Sequence, residues 1–339
     1  MSDDSERLIW ALSIAEDAVS RLDERVRGCP FRDGWIARLD FSEAVAWGWT
    51  SGAAASAEDL ILHDENMDVR MPDEGLRAAH GLVRARRKAA QAGPEVLSPA
   101  GAAWLVGRRR RAPPPLPASG RGLRLAADEP LAPEAPMLAA LVGLLERLRA
   151  GVTEGVDDSV AEWLELLAPC DRETPLLLQA AVALEGWRIV EAYPREGYLG
   201  GVLVARWLRD RKRVRSHLLG FEAGVRAVTR RSRPSAGLPP VERILFWLAV
   251  IAESAAQASE ALNRLELGRQ VAVARIGTRR AHSHLGGLIA LLLERPVVTG
   301  PMVAQRLGVT PQSARRLIGQ LGGAVTEISG QARFRAWRL

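Results

Sequence analysis

The sequence predicts a mostly α-helical chain that closes on two short helices and a β-hairpin. Three observations carry this. Apolar residues recur at spacings of three and four in almost every segment. Strand-like alternation is scarce until the stretch after Arg295. A proline-rich break between Gln91 and Pro136 separates two sets of helices. With 339 residues, 47% hydrophobic and 25% charged, the composition is globular and the length allows two or three domains. The expected organisation is a helical region over 1–90, a Pro/Arg-rich linker over 91–136, a helical domain over 137–290 and a small module over 291–339.

The elements follow in order. Ser5 to Val26 reads as a helix through Leu8, Ile9, Leu12, Ala15, Ala18, Val19 and Leu22. Phe41 to Trp49 is a second, and Ala57 to Leu62 a third with Ser56 as its N-cap. Pro72 to Ala90 is a fourth, with proline in its first turn and Arg84, Arg86, Arg87 and Lys88 toward its negative end. The linker carries Arg108 to Arg111 and then Pro113, Pro114, Pro115, Pro117, Pro130, Pro133 and Pro136, a polyproline-like composition. Helices resume over Met137–Ala150, Val156–Leu167, Pro175–Ala192, Gly201–Arg215, Pro240–Leu265 and Val271–Leu293. There is no internal repeat.

Composition narrows the function classes. Two cysteines, Cys29 and Cys170, make no disulfide framework. The acidic start MSDDSERLIW has no apolar run, and no stretch of 18 apolar residues occurs, so a soluble cytoplasmic protein without a membrane partner is expected. Arginine far outnumbers lysine throughout, so its total is a weak binding signal. Its distribution says more: from Arg295 onward there are seven arginines against the single acid Glu327, a surplus of six that equals the formal charge of the whole chain.

That basic end has a readable architecture. Thr299 caps a helix from Gly300 to Leu307 with Pro301 in its first turn, and Gly308 ends it. Thr310 caps a second helix that runs from Pro311 to Leu321. Ala314, Leu317, Ile318 and Leu321 form its apolar face, and Gln312, Arg315, Arg316, Gly319 and Gln320 its opposite face, with Ser313 at the edge. Arg can fork onto guanine, Gln can pair with adenine, and Ser or Thr can hold a phosphate, while Gly319 lets a partner approach. Ala324–Ile328, a Ser329-Gly330 turn and Ala332–Trp337 form a hairpin, with Arg333 and Arg335 on its rim. Helix, turn, helix and basic hairpin make a winged helix-turn-helix, and DNA is the expected partner. The expected DNA-binding residues are Thr299, Thr310, Gln312, Ser313, Arg315, Arg316, Gly319, Gln320, Arg333 and Arg335. A homodimer and a protein partner are further candidates.

Upstream, Thr174 to Arg206 reads TPLLLQAAVALEGWRIVEAYPREGYLGGVLVAR. A long helix, Tyr193-Pro194, a short Gly-containing loop and another helix resemble the core of Fic-domain proteins. In that family a His-Pro-Phe-x-(Asp/Glu)-Gly-Asn-Gly-Arg loop transfers AMP from ATP to a protein hydroxyl, with loop amides and a helix N-terminus cradling phosphates. Pro240 to Leu265 is similar to the helix that follows that loop, and the segment from Glu43 to Gly52 resembles the family's inhibitory motif. The resemblance aligns Tyr193 with the catalytic His, Pro194 with the Pro, and Glu196 and Gly197 with the acid and first Gly. Tyr198 stands for the Asn, Gly200 or Gly201 for the Arg, and Ser51 for the inhibitory Glu. A tyrosine of pKa near ~10 is a poor base at neutral pH. The implied body is a Fic-like helical domain with no catalytic residues, no cofactor and no metal. The chain also resembles a bacterial family known as a domain of unknown function followed by a helix-turn-helix.

The expected function is a DNA-binding transcriptional regulator. The alternatives are a nucleotidyl or phosphoryl transferase using the altered loop, or an interaction scaffold such as an antitoxin-like partner. Other clusters offer less. Arg206, Arg209, Arg211, Lys212, Arg213 and Arg215 read as a solvated helix end, a phosphate site or a second DNA contact. His282 and His284 are spaced for different helix faces, which disfavours a metal pair. His63-Asp64-Glu65 sits near a helix end. The residues Trp47, Trp49, Trp187, Trp207 and Trp247 read as core anchors.

Overall fold

The computed structural model describes residues 3–68, 71–115, 137–151, 155–167, 174–231, 237–276, 284–329 and 335–339. In chain order the helices are α1 Asp3–Arg27, α2 Arg32–Ser51, α3 Ala57–Asp64, α4 Glu74–Gln91, α5 Pro99–Leu105, α6 Met137–Ala150, α7 Val156–Leu164 and α8 Leu176–Val190. They continue with α9 Leu199–Asp210, α10 Glu222–Arg231, α11 Pro240–Ile276 and α12 Leu285–Glu294. Strand β1 (Val298–Thr299), α13 (Gly300–Leu307), α14 (Pro311–Leu321), β2 (Thr326–Glu327) and β3 (Ala336–Arg338) close the chain. The protein is mostly helical, with one small antiparallel sheet of order β1-β3-β2.

The chain divides into two compact units: Met1–Glu24 with Gly81–Ala256, and Arg25–His80 with Gln257–Leu339. The expected 1–90 region is therefore split between them. Helical periodicity marks which face of a helix is buried but not which partner buries it. Within the expected linker, residues 94–96 and 99–105 are helical. Pro94 starts a 3-10 turn and Pro99 starts α5, whose cap Ser98 accepts a bond from the Gly101 N–H. Prolines at first turns initiate helices here instead of interrupting them. Residues 116–136 lie outside the described residues, as do Cys170, His282 and Arg333.

The first unit is built around α8, which is apolar on nearly every face and buried from Leu177 to Trp187. Helices α6, α7 and α9 pack on it. Buried polar groups find backbone partners: the Trp163 indole donates to the Ala183 carbonyl at 2.7 Å, the Trp207 indole to Leu167 at 3.0 Å, and the Gln179 amide to Leu166 at 2.8 Å. The basic cluster after α9 is a set of clamps, not a solvated end. Arg206 is buried, pairs with Asp210 and donates to the carbonyls of Ala89 and Ala92 at the end of α4, and Arg209 donates to Ala90. Arg213 binds Glu16 of α1, and Asp23 accepts bonds from Arg215 and Ser216. The orphan carbonyls of α4 are thereby satisfied by guanidinium groups.

In the second unit, Gly34 brings α2 against the end of α12. A Cβ on Gly34 would lie 1.8 Å from the Leu293 carbonyl oxygen. Arg38, one turn later, donates to the carbonyls of Gly34 (2.8 Å), Leu292 (2.6 Å), Leu293 (3.0 Å) and Arg295 (2.7 Å). Helix α11 continues past Leu265 to Ile276. Gly268 within it lies against the chain terminus, where an added Cβ would stand 3.2 Å from the Leu339 side chain. Of the five expected tryptophan anchors, Trp47, Trp187 and Trp207 are buried, whereas Trp49 is exposed.

Candidate nucleic-acid interface

The C-terminal elements follow the order α12, β1, α13, α14, β2, β3. The module begins at Leu285, earlier than the expected boundary at 291, because α12 supplies its first helix. Leu288, Leu291 and Leu292 of α12 are buried with Val303 of α13 and Ala314, Leu317, Ile318 and Leu321 of α14. Strand β1 was not legible as a strand. It is two residues long and pairs Val298 with Trp337 and Thr299 with Ala336. The hairpin pairs Thr326 with Arg338 and Glu327 with Trp337, and residues 330–334 at its tip lie outside the described residues.

Each cap forms as its sequence predicts. The Thr299 hydroxyl accepts from the Met302 N–H at 3.3 Å, and Gly308 ends α13 at φ +63°. Thr299 is nonetheless buried, which corrects its assignment as a DNA-contacting side chain: its oxygen is spent inside the module. Thr310 caps α14 by accepting from the Ser313 N–H at 3.2 Å, and its hydroxyl lies 3.0 Å from that of Ser313. Thr310 is exposed, and Ser313 is half-buried.

Of the remaining described residues of the expected interface, Arg335 is exposed on the hairpin and the other five share the solvent side of α14. Gln312, Arg315, Arg316, Gly319 and Gln320 are all exposed, opposite the buried Ala314-Leu317-Ile318-Leu321 stripe. Gly319 has nothing within 4 Å of an added Cβ. A groove of about 620 Å³ runs between α14 and the hairpin. Arg315 and Gly319 line one side, Glu327 and Arg335 the other, with Ile318, Val325 and Trp337 between.

Ion pairing sorts the basic surplus. Arg295 pairs with Glu65 (3.5 Å), Arg306 with Glu294 (3.4 Å), Arg335 with Glu327 (2.9 Å) and Arg338 with Glu58 (3.1 Å). Among the described residues of the module, the arginines that make no ion pair are Arg315 and Arg316, adjacent on α14. Sequence reasoning found both residues. Their distinction from Arg295 and Arg338 was hidden, because Glu65 and Glu58 are distant in the chain.

The loop aligned with the Fic motif is packed on aromatic rings. Tyr193 is 2% exposed and stacks on Trp187, with centroids 6.2 Å apart and ring planes within 6°. The Arg108 guanidinium lies 4.6 Å from the Tyr193 ring centroid and bonds Glu196 at 3.2 Å. Burial pushes the Tyr193 phenol above its ordinary value, outweighing the nearby Arg108 charge. Pro194–Glu196 forms a 3-10 turn, and the Gly197 carbonyl accepts from the Trp187 indole at 3.1 Å. At Gly200 an added Cβ would lie 2.1 Å from the Trp187 ring, so this glycine serves close packing. At Gly201 the nearest atom to an added Cβ is on the Phe221 ring, at 3.3 Å.

Elsewhere, His63 bonds Asp68 at 2.9 Å and His80 bonds Asp64 at 2.9 Å, with the imidazole centroids 4.7 Å apart. Among the described residues no group of three or more His, Cys, Asp or Glu side chains is arranged to hold a metal, and no helix is long and apolar enough to cross a membrane.

Two stretches of the chain match family models. Residues 154–277 match the family model described as "Protein of unknown function (DUF1612)". "Uncharacterized protein y4cF" of Sinorhizobium fredii is 29% identical over 362 residues, covering 94% of this chain and 93% of the relative. Among solved structures, a Fic family protein from Desulfovibrio desulfuricans G20 is similar over 100% of this chain and 96% of its own, at a TM-score of 0.45 and 11% identity. Residues 285–339, the span from the start of α12 to the last residue, match the model "HTH DNA binding domain", and the chain carries such a domain.

Proposed function

We propose that the chain is a transcriptional regulator that binds duplex DNA through α14 and the adjoining hairpin. The observation that carries this is the adjacency of Arg315 and Arg316, exposed and without ion pairs on a helix whose other solvent-side residues are Gln312, Gly319 and Gln320. Elsewhere in the module the described arginines are matched by carboxylates, so the uncompensated charge lies on one helix face. Guanidinium groups there can neutralise phosphates or fork onto guanine, and glutamines can pair with adenine. Electrophoretic shifts on genomic fragments at two salt concentrations test the reading. Binding should weaken steeply with salt and be lost in the Arg315→Ala plus Arg316→Ala variant. Absence of binding, or binding indifferent to that variant, refutes it.

The helical body is proposed to be non-catalytic. Tyr193 occupies the position aligned with the general base, buried beneath Arg108 and against Trp187, with its proton held more tightly than in water. The Trp187 ring fills the space beside Gly200. Incubation with labelled ATP and host proteins should give no transfer of label; transfer that depends on Tyr193 would overturn this part of the proposal.

A further inference from the structure

The helix α1 carries an apolar and charged stripe that the fold leaves uncovered. Trp10 is 70% exposed and Ile14 44% exposed, on the side opposite the buried Leu8, Ala15, Val19 and Leu22. The stripe has a repeating geometry: Arg7, Trp10, Ile14, Asp17 and Arg21 follow one another at spacings of three and four, which keeps them along one seam of a helix. All five are exposed.

The stripe is also palindromic about Leu12. Trp10 and Ile14 are equidistant from Leu12, and so are Arg7 and Asp17. If a second α1 lies antiparallel across the first with the two-fold axis at Leu12, Trp10 of each copy meets Ile14 of the other. Arg7 of each then meets Asp17 of the other. An isologous interface needs this self-complementarity, because each surface must recognise itself reversed. A heterologous partner would not require the charges to be arranged symmetrically.

We propose that α1 is a homodimerisation helix that pairs antiparallel with α1 of a second copy. Its charged pairs are prepared in the single chain. Asp17 is already held by Arg21 at 2.7 Å, one turn along. Arg7 binds Glu242 at 2.7 and 3.1 Å and reaches Asp4 at 3.4 Å, and in the dimer Asp17 of the second copy takes the place of that longer contact. The rest of the gain is burial of two tryptophans and two isoleucines now in water. A single helix pair belongs to the smaller class of interfaces, so association in the micromolar range is expected. The proposal stands apart from DNA binding, since a dimer forms on this helix whether or not α14 touches DNA.

The test is sedimentation velocity of the full-length protein over a concentration series without DNA. Wild type should shift from monomer to dimer across roughly 1–100 µM. The Trp10→Ala plus Ile14→Glu variant should remain monomeric with an unchanged far-UV spectrum, since both side chains are exposed. Asp17→Arg should weaken dimerisation about tenfold, because two like-charge contacts replace two attractive ones. Adding Arg7→Glu to Asp17→Arg should recover most of that loss by re-creating the pairs with reversed sign. A wild type that stays monomeric overturns the proposal. So does a dimer unaffected by the Trp10/Ile14 variant, or a charge reversal that the second change does not rescue.

Discussion

Arg38 should decide whether α12, the first helix of the DNA-binding domain, stays folded against α2. Its guanidinium donates to three carbonyls at the end of α12, those of Leu292, Leu293 and Arg295, at 2.6–3.0 Å. These are among the carbonyls that a helix end leaves without partners. Each hydrogen bond from a charged donor contributes roughly 1.5–3 kcal/mol net, and the set is less than additive. Burial works against the charge: it lowers the Arg38 pKa to about 10, a penalty on the charged form of roughly 3 kcal/mol. The Arg38→Met variant loses the bonds and the penalty together, which leaves a net loss of about 3 kcal/mol. In native-state hydrogen exchange, amides of α12 should then open roughly 150-fold more often, while the buried α8 amides in the first unit keep their protection. Gly34→Ala should reproduce the effect. Its Cβ at 1.8 Å from the Leu293 oxygen forces α2 and α12 apart by more than the Arg38 bonds can follow. The double variant should cost little more than either single one, because both act on the same contact. Unchanged exchange in α12 for Arg38→Met, or fully additive effects, would refute the reasoning.

Three further outcomes follow from named contacts. Gly319→Glu should leave thermal stability unchanged, since nothing lies within 4 Å of the new Cβ, yet remove DNA binding by placing a carboxylate against phosphates; a retention assay and a melting curve check both halves. Gly200→Ala should cost about 1–3 kcal/mol in urea denaturation, because a Cβ placed 2.1 Å from the Trp187 ring forces the ring to shift its stack on Tyr193; adding Trp187→Leu should return part of that loss. His217 sets an acid limit. Burial lowers its pKa to about 3, so between pH 6.5 and pH 3 the unfolded chain binds a proton that the folded chain refuses, and stability falls as pH falls. From pH 6.5 to pH 5 the loss is about 2 kcal/mol, and His217→Gln should flatten it in urea melts at the two pH values.

Local features of the fold were legible from the sequence because their causes are local. Ser56, Thr299 and Thr310 cap helices through bonds to amides three residues on, and Gly308 takes the left-handed conformation that ends α13. The apolar stripe of α14 was readable from periodicity, and its solvent face followed by subtraction. Long-range pairing was not readable. Periodicity does not say that Arg206 reaches back to the carbonyls of Ala89 and Ala92, or that Gly34 lets α2 approach α12. Strand β1 failed for a different reason: two residues carry no alternation, and Val298 and Thr299 become a strand only because β3 offers them a ladder.

The charge of the DNA-binding domain is where composition and structure diverge most, and it yields a last prediction. A surplus of six in the sequence suggests a broadly basic surface. The structure redistributes it: Arg295 and Arg338 spend their charge on Glu65 and Glu58, and Arg306 on Glu294. Such exposed pairs are weak in stability, but a paired guanidinium must give up a carboxylate before it can serve a phosphate. Each phosphate neutralised by a cation contributes about 0.9 to the slope of log affinity against log salt. Arg315→Gln and Arg316→Gln should therefore each lower that slope by roughly one if the residue holds a phosphate, or relax sequence preference at one position if it reads a base. Arg306→Gln and Arg338→Gln should leave the slope unchanged despite removing the same formal charge. Equal slope losses at all four positions would mean that total charge governs binding, and the assignment of the interface to α14 would fail.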